Sequence, residues 1–308
     1  MQLLKRGSKG SNVRRLQKLL GITSDGDFGP KTEKAVIRFQ LHYEIEVSVL
    51  GYVNNETWAM LEMKKGLINS AIDEDTDISS QYYRTNQDQL IHKYYLPKTQ
   101  YVSRKVNNMY MMLHHTAGSC NPYRCIDLWA KDNRGRIATE FVLGGQDHRT
   151  ENADYDGVMV QAFPEGNYAY HIGKSGSGRM NKSTVGLEIC SMGYLDSDGR
   201  TYLYTKAHKD QVIRLSEPFR RKEYWHKYSD KQIEEVEKWI KYIGERDGID
   251  ITLGLKQWIK RYGPTKAFGF QQDAYYGKVK GLLSHTNVRK GKMDIYPDPR
   301  LIDVIMSL

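Results

Sequence analysis

Met109-Tyr-Met-Met-Leu-His-His-Thr-Ala-Gly118 constrains the chain more than any other stretch, because an apolar run stops abruptly at two histidines. The run reads as a strand, and imidazoles at a strand end stand where ligands commonly sit. Consecutive strand residues point to opposite faces, so at most one of His114 and His115 can reach a given metal ion. Far downstream, Leu283-Ser-His-Thr-Asn-Val-Arg-Lys-Gly-Lys-Met-Asp294 places His285 nine residues before Asp294. Two histidines and a carboxylate that converge and leave one position open would form a catalytic zinc set. The chain has nine histidines, so spacing alone leaves other trios open.

Further β-favouring stretches fall at 109–113, 141–143, 158–163 and 185–190, interleaved with helical patterns. The clearest helix starts at Ser229, with Gln232 placed to complete a capping box. Its apolar face is Ile233, Val236, Ile240 and Ile243. Strands alternating with helices predict an α/β domain around a central mixed β-sheet flanked by helices. In Val185-Gly-Leu-Glu-Ile-Cys190 the three apolar side chains share one face, and Glu188 leaves from the other. Pattern alone allows a partly exposed structural glutamate there.

The first 65 residues have a different rhythm. Helical periods at Val13, Leu16, Leu19 and Leu20, and again at Thr32, Ala35, Val36 and Phe39, flank Asp25-Gly-Asp-Phe-Gly-Pro30. Pro30 suits a helix start, and Thr57-Trp58 with Leu61 suggests a third helix whose aromatic ring closes a small core. Residues 71–80 are acidic and aperiodic, as a connection would be. The expected organisation is a three-helix module over 1–65, a linker and packing segment over 66–100, and an α/β domain over 101–308. No internal repeat stands out.

With 308 residues, two domains are the natural expectation. A mean hydropathy of −0.66 and an N-terminus charged within its first seven residues leave no bilayer-spanning run and no signal-peptide core. The chain therefore reads as made in the cytoplasm without a signal peptide, with no membrane insertion and as a monomer. A formal charge of +9 favours polyanionic partners without choosing among them. Three cysteines argue against a disulfide framework, and a Cys120–Cys125 bridge stays open.

Two resemblances carry the reading further. LKRGSKGSNVRRLQKLLG, DGDFGPKTEKAVIRFQ and GYVNNETWAML resemble the peptidoglycan-binding three-helix module attached to many wall hydrolases. LHHTAG, then AYHIG at 169–173, NKSTVGLEI at 181–189 and SHTNVRKGKMD at 284–294 resemble, in order, the N-acetylmuramoyl-L-alanine amidase family. That family includes phage endolysins and animal peptidoglycan-recognition proteins. The resemblance implies Zn²⁺ held by His114, His285 and Asp294, with Asp298 the rival for the third place. It also implies Glu188 as general base, Lys292 as oxyanion stabiliser, and His171 and Asn181 as substrate-binding residues. The implied reaction is hydrolysis of the amide between N-acetylmuramic acid and L-alanine, at the bacterial cell wall after release from the cell.

The strand at 138–143 lacks the family's tyrosine or histidine, leaving Thr139 and Glu140 without a role, and residues 250–282 read as an aromatic, basic insertion near the active face. Competing readings are a zinc peptidase cutting within the stem peptide, a non-catalytic peptidoglycan receptor, and, weakest, a nucleic-acid binder; no nucleic acid is expected as partner.

Overall fold

Pro30, with its fixed φ and missing N–H, opens the second helix where the sequence places it. The computed structural model describes residues 3–43, 45, 47, 49–64, 82–150, 152–173 and 179–308. Contacts divide the chain into two units, 1–80 and 81–308. The first unit contains α1 (Ser11–Leu19), α2 (Pro30–His42) and α3 (Asn55–Met63). Asn54 starts α3 by accepting a hydrogen bond from the Thr57 N–H at 2.9 Å. The periodic residues Val13, Leu16, Val36, Phe39 and Leu61 pack with Phe28 and Trp58 into one core.

Two glutamines lie inside that unit. The Gln17 carboxamide donates to the Asp27 carbonyl at 3.0 Å and to Thr32 Oγ1 at 2.9 Å, and accepts from the Gly26 N–H at 2.8 Å. Gln40 donates to the Tyr52 carbonyl at 2.7 Å and to Thr57 Oγ1 at 2.8 Å, and accepts from the Gly51 N–H at 2.7 Å. Gly26 and Gly51 sit at φ 81° and 85°, where a side chain would be strained.

In the second unit, β1 (Tyr82–Arg84), β2 (Leu90–Lys93), β3 (Tyr110–His115), α4 (Pro122–Ala130), β4 (Phe141–Leu143), β5 (Met159–Gln161) and β6 (Thr184–Ile189) come first. A side sheet follows: β7 (Tyr194–Leu195), β8 (Val212–Phe219) and β9 (Lys222–His226). Then come α5 (Asp230–Asp247), α6 (Leu255–Tyr262), α7 (Pro264–Ala267), α8 (Gln272–Tyr275), β10 (Gly281–Ser284), α9 (His285–Val288) and α10 (Pro299–Ser307). The main sheet is mixed, in the order β1-β2-β5-β4-β6-β3-β10, while β7-β9-β8 is antiparallel. Within the expected linker and packing segment, residues 82–84 and 90–93 are two strands of the sheet. Three or four residues are too few for a β period to register. Residues 71–80 lie outside the described residues.

Ser229 caps α5 with the expected box: the Gln232 N–H donates to Ser229 Oγ at 2.9 Å, and the Ser229 N–H donates to Gln232 Oε1 at 3.0 Å. The helix lays Ile233, Val236, Ile240 and Ile243 on one sheet face, against Met111, Leu113, Val185, Leu187 and Ile189. The opposite face carries Tyr110, Met112, Ile172, Met180, Leu283 and Val288. That parity fixes which face each histidine of the pair takes.

Candidate metal centre and active site

Strand β3 runs parallel between β6 and β10, and its register sets His114 beside Glu188 and Leu113 beside Ser284. His285, next after Ser284, therefore emerges beside His114 at the carboxyl ends of parallel strands, where ligands of such sheets gather. The strand turns there into α9, and Asn287 Oδ1 accepts from the Ser284 N–H at 2.8 Å. Asp294 arrives on the following loop.

The three expected ligands converge. His114 Nδ1 lies 3.0 Å from His285 Nδ1 and 3.3 Å from Asp294 Oδ2, and His285 Nδ1 lies 2.8 Å from the same oxygen. Ligands about 2.0–2.1 Å from a tetrahedral zinc stand about 3.3 Å apart, so this triangle is close to one face of that figure.

Hydrogen bonding assigns the tautomers. His285 Nε2 is 3.2 Å from the Ile172 carbonyl, which can only accept, so the proton sits on Nε2 and the Nδ1 lone pair faces the cluster. His171 Nε2 approaches the Thr184 carbonyl at a longer 3.4 Å, which leaves His171 Nδ1 to accept from His114 Nε2–H at 2.8 Å. His114 Nδ1 is thereby an inward-facing lone pair as well. Two lone pairs and a carboxylate oxygen facing one point fit a divalent cation.

The electrostatics agree. Burial, with His285 close by, lowers His114 to about 4, so the imidazole stays neutral. Burial alone would raise Asp294, but the influence of His114 and His285 beside it outweighs burial and holds the carboxylate well below its ordinary value. Glu188 is half-buried, and desolvation together with the Asp294 charge pushes it up to about 8 against the pull of Lys292.

A cavity of ≈ 490 Å³ joins these groups: His114, His171, Glu188, His285, Lys292 and Asp294 all line it. Trp129, Tyr194 and Tyr202 line it too, and sequence reasoning missed them. Exposed Tyr202, whose hydroxyl donates to the Ala117 carbonyl at 2.8 Å, sits in a loop with no strand or helix period to mark it.

Other expectations resolve differently. Asn181, read as substrate-binding, is buried and absent from the cavity lining. Its Oδ1 accepts from the His171 and Ile172 N–H groups at 3.2 and 3.0 Å, and its Nδ2 donates to the Gly173 carbonyl at 3.0 Å. It shapes the segment that carries His171. Asp298, the rival ligand, is fully buried at the start of α10 with Arg300 at 2.7 Å. His115 turns to the other face, where its Nδ1 accepts from the Tyr228 hydroxyl at 2.9 Å and the Ile295 N–H at 3.1 Å. Ile295 has φ 61°, an unusual conformation for a β-branched residue, right after Asp294. Glu140 pairs with Arg246 at 2.8 Å, and Cys120, Cys125 and Cys190 are free thiols.

Comparison with known proteins adds family matches. A family model described as N-acetylmuramoyl-L-alanine amidase matches residues 104–263, more than half of the chain, and one for a peptidoglycan binding domain matches residues 9–61. His285 and Asp294 lie beyond the first span. No curated protein matches the sequence. Among solved structures, that of PlyL is 13% identical, with 66% of this chain and 85% of that chain covered and a TM-score of 0.37. The Staphylococcus aureus hydrolase AmiA, solved with its ligand, is 12% identical over 70% of this chain and 81% of its own, TM-score 0.35. A complex of the N-acetylmuramyl-L-alanine amidase AmiD from E. coli is 18% identical over 48% of each chain, TM-score 0.31.

Proposed function

The chain belongs to the N-acetylmuramoyl-L-alanine amidase family, and from that premise we propose a zinc hydrolase that separates muramic acid from L-alanine in peptidoglycan, with His114, His285 and Asp294 as its metal ligands. The observation that carries the reading is the convergence of three metal-donor atoms with Glu188 and Lys292 in one cavity. Bound zinc would supply Lewis acidity, polarising the scissile carbonyl and acidifying the attacking water.

The protein's own groups do the rest. Glu188 takes the proton of the attacking water on its carboxylate and returns it to the departing amine of L-alanine. A carboxyl poised near neutrality suits both transfers. Lys292 sets an ammonium where negative charge builds on the carbonyl oxygen. His171 holds the His114 ring, and its place on the cavity wall also lets it touch substrate. The wall-binding module concentrates the enzyme on its insoluble substrate, which suits a phage-type endolysin. Among the described residues no helix is long and apolar enough to cross a membrane.

The test is metal content together with digestion of purified peptidoglycan, wild type beside Glu188→Ala. One zinc per chain and peptides beginning with L-alanine, with the variant keeping zinc and losing cleavage, are expected. Full cleavage by the variant would require a different base, and new termini inside the peptide would make the enzyme a peptidase.

A further inference from the structure

Arginine is a poor residue for a tight hairpin turn, and β8 and β9 are joined by two of them. Phe219 pairs with Lys222, so the turn consists of Arg220 and Arg221, at φ 49° and 65°. Two-residue turns with positive φ at both central positions are usually made with Asn and Gly. Backbone strain of this kind persists where the surroundings hold it in place, and it gathers at functional sites. Arg221 is exposed, whereas Arg220 is half-buried.

Arg220 turns inward onto the segment between His285 and Asp294. Its guanidinium donates to the Thr286 carbonyl at 3.2 Å and to the Lys290 carbonyl, tying α9 to the loop that follows it. Burial lowers its pKa, and the charge that offsets this is that of Asp294. The loop has little else to hold it. Among the described residues, the backbone of 290–294 makes one other hydrogen bond, from the Lys292 N–H to the Arg289 carbonyl at 3.3 Å. The same hairpin holds the chain just past the loop, where Trp225 of β9 stacks on Tyr296 with ring centres 4.7 Å apart.

Resting on the zinc reading of the centre, we propose that Arg220 is a positioning residue: by clamping the Thr286 and Lys290 carbonyls it fixes the loop that brings Lys292 and Asp294 to His114 and His285. Charge and placement act here with opposite signs. A guanidinium near the centre repels a dication, so on charge alone its removal would tighten zinc binding. Loss of the clamp lets the Asp294 carboxylate leave the two histidines, which weakens zinc binding.

The experiment measures zinc affinity by chelator competition for wild type, Arg220→Met, Arg220→Gly, Arg220→Lys and Arg221→Met. Trypsin cleavage of the metal-free proteins after Lys290 and Lys292 is the second readout. Glycine suits the positive φ and keeps the turn, so Arg220→Gly tests the clamp in a folded hairpin. Arg220→Met and Arg220→Gly should bind zinc about tenfold more weakly and be cut about fivefold faster than wild type. Arg220→Lys, which can keep one of the two bonds, should fall between them and wild type, and Arg221→Met should match wild type. Equal or tighter zinc binding by Arg220→Gly overturns the clamp. An equal loss in Arg221→Met would assign the effect to the turn, and weaker binding with unchanged cleavage would place it outside the loop; either overturns the proposal. Wild type that binds no zinc would overturn the zinc reading, and the clamp with it.

Discussion

His171 Nδ1 lies 2.8 Å from His114 Nε2, and this contact selects which nitrogen of His114 faces the other two ligand candidates. A side chain of similar shape that cannot accept a hydrogen bond leaves that selection undone. His171→Leu should weaken zinc binding by about 10–100-fold. His171→Asn, whose Oδ1 can take the place of Nδ1, should keep most of the affinity. Competition with a chromophoric chelator measures both, and equal affinity in the two variants would remove the orienting role.

Acid should destabilise the fold through buried neutral histidines. His226 accepts from the Met192 N–H at 3.0 Å, and burial, helped by His148 and His115, lowers it to about 3. Its folded pKa is below its unfolded value, so its contribution is present above about pH 6.5 and is lost as pH falls toward 3. Between pH 7 and 5 the loss is about 2 kcal/mol. Urea unfolding in chelator should show His226→Asn losing about that much less than wild type over this interval, and matching losses would count against the assignment.

Arg246 joins α5 to the sheet through Glu140 at 2.8 Å, and both side chains are buried. Removing one partner strands a charge. Arg246→Met should cost about 3–5 kcal/mol in urea unfolding of the second unit. Glu140→Gln with Arg246→Met together should recover part of that loss, and simple additivity would argue against a coupled pair.

Gln17→Leu leaves the Gly26 N–H and the Thr32 hydroxyl without their buried partner. The expected cost is about 2–4 kcal/mol, large for a core this small. Binding to purified wall should fall while turnover of a soluble muramoyl peptide is unchanged. Unimpaired wall binding would show that the glutamine is dispensable.

Much of the centre was legible because strand parity is strict. The alternation in Val185–Cys190 put Glu188 opposite the apolar side chains, and the structure adds that this is the side taken by His114. The capping box was readable because Ser229 and Gln232 interact locally. His285 and Asp294 were readable only through motif, since their convergence depends on a parallel pairing between segments far apart in sequence. The main-chain role of Asn181 was not legible, because an amide has the same sequence signature whether it meets a ligand or the main chain. Trp129, Tyr194 and Tyr202 carried no signal, as aromatics from a helix, a short strand and a loop become one wall only once the fold brings them together.

The two buried glutamines of the first unit also bear on its design. Gln17 follows Leu16, grips a turn at Gly26 and reaches Thr32; Gln40 follows Phe39, grips a turn at Gly51 and reaches Thr57. The threonine comes six residues after the glycine both times. The same helix–turn–threonine clasp thus occurs twice in the module, so each of its two connections is fixed by a single buried amide.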